Sequence, residues 1–241
     1  MNSSGGLFSN AGRNLAQLRH APVSWLLFGT VVGFQIVVDA GGGVDALARW
    51  YEIFGLSRSG FLSGKVWQLL THGLLHGAWW HAGLNAVFVL LIGSRIEFIA
   101  GRAMLIGVTL AGVLGGGIAH LAIGSGLLVG LSGGCIALLL CLTTLSPQSR
   151  MFPLPVSGRS LGLGILLAEL MLALIDPELG LPGFSAIGDA AAAHGMASWF
   201  QIGHACHFGG GLAGWICGRW MLRPRVTLER LRRDRARREA G

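Results

Sequence analysis

Six apolar segments joined by short polar stretches constrain this chain more than any other feature of it. They fall at 21–38, 81–99, 103–123, 127–145, 160–175 and 198–221, and most approach the ~20 residues that a helix needs to cross a bilayer. The fifth is the shortest and carries Glu169. Only 12% of the 241 residues are charged and 52% are hydrophobic, whereas soluble domains run nearer about a quarter charged. The pattern predicts an all-α polytopic membrane protein, a bundle of six transmembrane helices in one domain.

The charges in the joints orient that bundle. Arg13 and Arg19 precede the first segment, Arg95 and Arg102 flank the second joint, and Arg150 and Arg159 lie in the fourth. The stretch 176–197 holds Asp176, Glu178 and Asp189 but no lysine or arginine. Basic residues collect on the cytoplasmic side, so six crossings would place both termini inside. Eight arginines between Arg223 and Arg238, against Glu229, Asp234 and Glu239, account for much of the net charge of +7. A basic tail directly after an apolar run is attracted to anionic lipid. No aromatics or binding motif accompany it, so nucleic acid is not an expected partner.

The resulting layout is a cytoplasmic segment at 1–20, a six-helix membrane domain at 21–221 and a basic cytoplasmic tail at 222–241. The stretch 39–80, rich in Tyr51, Phe54, Phe61, Trp67, Trp79 and Trp80, is expected to be an interfacial loop on the outer leaflet. The first segment reads as a retained helix, because no convincing small-residue cleavage site follows its long apolar run. Cys135, Cys141, Cys206 and Cys217 all lie inside apolar runs. Their spacings suit neither a disulfide framework nor a zinc knot, so they read as small core residues.

Polar side chains inside such segments are costly and tend to mark function. Ser132 stands in Gly130-Leu131-Ser132-Gly133-Gly134, where glycine lets the backbone turn sharply and a helix start exposes free N–H groups. Gly124-Ser125-Gly126 is a competing serine, which reads as a turn. His207, Gly210, Gly214 and Gly218 follow one helical face, and small residues at that spacing let two helix backbones approach closely. Such an approach would bring the His207 imidazole to the Ser132 hydroxyl as its base. His204 fits less well, since the residue three beyond it is a histidine rather than a glycine.

On the second segment His81 and Asn85, four apart, share a face and can donate to a developing oxyanion; capping a loop or bonding a neighbouring helix is their other reading. His72, His76 and His81 also raise a zinc site, but no H-E-x-x-H string and no nearby carboxylate support it. No metal and no other cofactor is expected. Glu169 could extend a Ser132–His207 dyad; its ordinary reading is a protonated or hydrogen-bonded glutamate facing the bundle.

His76, His81 and Asn85, then Gly130-x-Ser132-Gly133, then His207-x-x-Gly210-x-x-x-Gly214 together resemble the rhomboid intramembrane serine proteases. The resemblance implies a rhomboid-like six-helix bundle with a water-filled cavity. In it Ser132 is nucleophile and His207 base, His81, Asn85 and the Ser132 amide form the oxyanion hole, and His76 has a supporting role. Trp67 and Glu97 fit the family's patterns in the first loop and after the second segment. Three positions depart from it: Trp67-Gln68 replaces a Trp-Arg pair, Cys206 replaces an alanine, and Ile136 stands where a tyrosine often packs on the catalytic ring.

The expected function is intramembrane serine endoproteolysis of transmembrane or juxtamembrane segments of other membrane proteins, in a multi-pass protein of a bacterial plasma membrane. The sequence does not specify an oligomeric state. The alternatives are an inactive rhomboid-like binder of membrane segments, a membrane-embedded zinc hydrolase, and a relative that trims C-terminal anchors.

Overall fold

The structure, a computed structural model, describes residues 18–150, 156–223 and 228–239. Arg13 and most of the expected N-terminal segment lie outside them. The longer helices are α1 (Pro22–Ala40), α2 (Trp79–Ala100), α3 (Arg102–Ile123), α4 (Ser132–Leu145), α5 (Gly158–Leu174), α6 (His204–Met221) and α7 (Leu228–Glu239). Short helical turns fill the stretch between α1 and α2, and an eight-residue helix, Phe184–Ala191, lies between α5 and α6.

The described residues form an all-α, polytopic membrane protein, but six crossings are not what they contain. Three helices, α1, α2 and α3, are long and apolar enough to span a bilayer. The fourth and sixth apolar runs include backbone that is not helical. The run 127–145 yields a helix of 14 residues, about 21 Å long against a hydrocarbon core of about 30 Å. Its first residues are spent on an extended bridge and a turn, with Leu128 and Leu56 exchanging backbone bonds of 2.9 and 2.8 Å. The run 198–221 opens with a 3-10 turn at Ala197–Gln201, and helix begins only at His204. Glycines, two histidines and Arg219 also lower the apolarity of α6. The fifth run gives a helix of 17 residues.

The exposed surface fits a lipid environment: Leu26, Trp80 and Phe98 are each 68% exposed, and apolar surface on that scale needs a nonaqueous partner. Between helices in lipid there is little hydrophobic drive, so close packing and polar contacts hold them together. Helix α4 sits at the centre, against α3 and α6. A Cβ at Gly210 would collide with the Gly133 carbonyl, and one at Gly214 with the backbone of Ala137. Glycine at these two positions therefore permits backbone-to-backbone contact of α4 with α6.

Helix α1 is tied to α2 by Glu97. This buried carboxylate accepts from Val23 N–H at 3.1 Å, Ser24 N–H at 2.9 Å and Ser24 Oγ at 2.8 Å. It thus occupies the first turn of α1, where unpaired donors and the helix dipole favour a negative charge.

Residues 41–78 are docked onto the entry to α4. The fully buried Gln68 donates to the Glu52 and Ile53 carbonyls at 2.9 and 3.3 Å. Trp67 Nε1 also donates to Ile53, at 2.9 Å. His72 Nδ1 donates to the Gln68 carbonyl at 2.8 Å, and the His72 carbonyl accepts from Gly130 N–H at 2.9 Å. His76 Nε2 accepts from Leu131 N–H at 3.4 Å, and Tyr51 Oη donates to the His76 carbonyl at 2.6 Å.

Two predictions follow from this packing. Gly214→Ala forces a methyl group into the Ala137 backbone, at a cost of about 1–3 kcal/mol, and should lower the thermal midpoint in detergent. Gly107→Ala, which meets open space, should not; equal midpoints for the two variants would refute the close α4–α6 contact.

Burial holds the His72 and His76 rings down to about 4 from an ordinary 6.5. As pH falls below 6.5 the unfolded chain binds protons that the folded chain refuses until about 4. Their stabilisation, on the order of 3 kcal/mol each, is therefore whole above the upper value and lost on acidification. The thermal midpoint should drop between pH 7 and pH 4.5, and the drop should shrink in His72→Gln; a flat profile would contradict the neutral buried rings.

Candidate functional site

Ser132 is the first residue of α4. The chain turns into it at Gly130, whose φ of +119° suits glycine alone. A Cβ at Gly130 would stand 2.6 Å from Cε1 of His81, so the turn and the ring are in direct contact. The first backbone bond of the helix runs from Cys135 N–H to the Leu131 carbonyl at 3.0 Å. The Ser132 N–H precedes that ladder and has no place in it.

His81 and Asn85 lie one turn apart on α2, and His207 lies one turn into α6. All three, with Ser132, line one cavity of about 790 Å³. Leu84, Phe88, Ile136 and Ile202 supply part of its apolar wall, and the segment Ser198–Gly203 closes one side. Asn85 is 5% exposed, and its buried Nδ2 has no hydrogen-bond partner. A donor left unpaired at a cavity wall is free for a ligand, and an unmet bond of this kind is otherwise costly.

The structure thus brings Ser132, His81, Asn85 and His207 to one cavity, but among the described residues no hydrogen bond joins Ser132 to His207. His76 lies outside the cavity lining, on the Leu131 amide. Gly133, Gly210 and Gly214 lie in the α4–α6 seam.

What His207 does bind is Glu169, 38 residues earlier on α5: Nδ1 lies 3.1 Å from Oε1. The other carboxylate oxygen, Oε2, is 2.6 Å from Nδ1 of His204, whose Nε2 is 2.9 Å from the Trp199 carbonyl. Oε1 acts as an acceptor, so the His207 proton sits on Nδ1 and the lone pair on Nε2. The Trp199 carbonyl likewise requires hydrogen on His204 Nε2. The His204–Glu169 contact then holds one further proton, whichever atom carries it.

Glu169, His204 and His207 are also a candidate metal-binding group, their ligand atoms all lying within 4.8 Å of one another. This cluster, rather than His72, His76 and His81, is where the described residues gather metal-type ligands. It is better formed in this structure than a bonded Ser132–His207 pair, and to that extent favours the metal-hydrolase alternative. The donor atoms fit an ion poorly as they stand. Two ligands on one tetrahedral zinc lie about 3.3 Å apart, whereas Nδ1 of His204 and Oε2 of Glu169 are at 2.6 Å. Both Nδ1 atoms also point their hydrogens or shared proton at the carboxylate.

His204 and Glu169 are the two residues that the structure adds to the surroundings of His207. The available signal was the three-residue spacing of His204 and His207, which puts both rings on one side of α6, together with the single acid inside the fifth apolar run.

The rhomboid domain model matches residues 63–224, more than half of the chain. This stretch contains Ser132, His207, His81 and Asn85. The chain is also similar to human rhomboid-related protein 3, with 38% identity over 78 residues. That alignment spans 32% of this chain and 19% of the relative, so the relative extends far beyond the similar part. The family match, the helical membrane architecture and the shared cavity agree: this chain belongs to the rhomboid family.

Proposed function

We propose that this protein is a membrane-embedded serine endopeptidase that cleaves transmembrane or juxtamembrane segments of other membrane proteins. The observation that carries this reading is the His207 ring: with Nδ1 turned to Glu169, Nε2 keeps its lone pair, in a cavity that Ser132 also lines. In the proposed reaction Ser132 Oγ attacks the scissile carbonyl carbon as its proton passes to Nε2. The carbonyl π pair moves to oxygen, for which Asn85 Nδ2, His81 and the Ser132 N–H are the donors. Collapse breaks the C–N bond, and the leaving amine takes the proton from Nε2. Water then attacks the ester carbonyl, again giving its proton to Nε2, and Ser132 leaves with that proton restored. Substrate binding has to draw Ser132 and His207 into hydrogen-bond contact, a tightening common between free enzymes and their Michaelis complexes.

A second reading, a membrane metal hydrolase, is favoured by the Glu169–His204–His207 cluster. One experiment separates the two. A single-span membrane substrate with small residues near one membrane boundary is incubated in detergent with wild type, Ser132→Ala and chelator-treated wild type, and a fluorophosphonate adduct is mapped by mass spectrometry. The serine reading expects label on Ser132, at least a thousandfold loss in Ser132→Ala and indifference to the chelator. Chelator-sensitive cleavage without label on Ser132 would install the metal reading. Neither cleavage nor label would make the protein a binder of membrane segments. Asn85→Ala should lower kcat by about ten- to a hundredfold, as loss of an oxyanion donor does; unchanged kcat would remove Asn85 from that role.

A further inference from the structure

Glu169 is absent from the cavity lining and meets the Nδ1 side of the His207 ring. It reaches no reacting atom, yet both of its oxygens are committed to the two histidines of α6. Burying a carboxylate among apolar helices is expensive unless a partner neutralises it. His204 meets that need, because its contact with Oε2 holds a proton and its Nε2 is anchored on the Trp199 carbonyl. Oε1 is thereby left to face His207 Nδ1 alone.

Among the described residues the hydrogen bond of the His207 ring is the one to Glu169. Four residues after Ser132 stands Ile136, without an aromatic face to stack on. The aromatic contact of His207 among the described residues is with His204, edge-on at 6.2 Å between centroids. The hydrogen-bond partner and the ring contact of the imidazole thus belong to one unit, His204 with Glu169. That unit fixes the tautomer through Nδ1 and places a carboxylate beside the positive charge that forms when Nε2 takes the Ser132 proton.

We propose that Glu169, held by His204, is the positioning residue of His207, so that this protein works with a Ser132–His207–Glu169 triad rather than a dyad. The inference rests on the serine-endopeptidase reading. In the proton-transfer step the Ser132 O–H bond breaks and the Nε2–H bond forms, with Nδ1–H retained throughout. Glu169 takes no proton from His207 and serves by orientation and charge. His204 keeps the carboxylate from binding elsewhere and lets the shared proton shift toward its own Nδ1 as charge builds on His207.

Glu169→Gln is the informative change. Its amide oxygen can still accept from His207 Nδ1, and its amide hydrogens can donate to an unprotonated His204 Nδ1, so packing and tautomer survive while the charge is lost. Glu169→Ala loses the orientation as well. The full-length protein in detergent is titrated with a fluorophosphonate, which counts competent sites by amplitude, and acylation of Ser132 and peptide kcat are read per titrated site. The triad predicts about a tenfold fall in both rates for Glu169→Gln and about a hundredfold for Glu169→Ala, with KM within about threefold of wild type. A purely structural glutamate would instead lower the amplitude and the thermal midpoint while leaving the rate per titrated site intact, and that result overturns the proposal. Rates within threefold of wild type in both variants also overturn it. Failure of wild type to label at Ser132 marks the failure of the underlying serine reading, whatever the Glu169 variants do.

Discussion

The contact between the backbones of α4 and α6 is the constraint on which the rest of the molecule depends. At Gly210 against Gly133 and at Gly214 against Ala137 no side chain separates the two helices. Ser132 and His207 are each placed relative to this seam, Ser132 one residue before Gly133 and His207 one turn before Gly210. Lipid supplies no hydrophobic pull between helices, so this intimacy has to come from shape and van der Waals contact. A rotation of either helix would bring a larger residue into the seam and force the helices apart. The glycines thus give the two side chains a common cavity without a direct bond between them.

Around that seam, several buried polar groups are met by a specific partner. Glu97 accepts from the first turn of α1, Gln68 gathers the carbonyls of the loop before α2, and Glu169 lies between two imidazoles. In surroundings of low dielectric such bonds are strong and leaving one unmade is costly, so they act as fixed points of the fold. The Asn85 Nδ2 is instead buried and unpaired, and its residue lines the cavity. Within the proposed reaction this is the expected state of a donor whose partner is an oxygen of the bound substrate.

The contacts of His207 also bear on how a family pattern tolerates change. Isoleucine stands at 136, where the family pattern often has tyrosine, and a glutamate from α5 meets a ring nitrogen of His207. Glutamine stands at 68, where the family pattern has arginine, and its amide reaches two backbone carbonyls of the loop.

Much of the site was legible in the chain alone. The glycines around Ser132, the helical spacing of His207, Gly210 and Gly214, and the pairing of His81 with Asn85 are local patterns, and local periodicity survives folding. The six-crossing bundle was misread because apolarity is counted per residue, while a crossing needs continuous helix. Leu127 to Leu131 are apolar yet make a bridge and a turn, and the residues before His204 make a 3-10 turn and a bend. The Glu169 contacts join residues 35 and 38 apart, and no periodicity within one segment foretells them. The sequence by itself determined a helical membrane protein and the residues around its cavity, because composition and helical spacing are properties of the chain. Only the tertiary structure decided where each helix starts and which nitrogen of His207 faces Glu169, because those depend on hydrogen bonds between segments that meet only after folding.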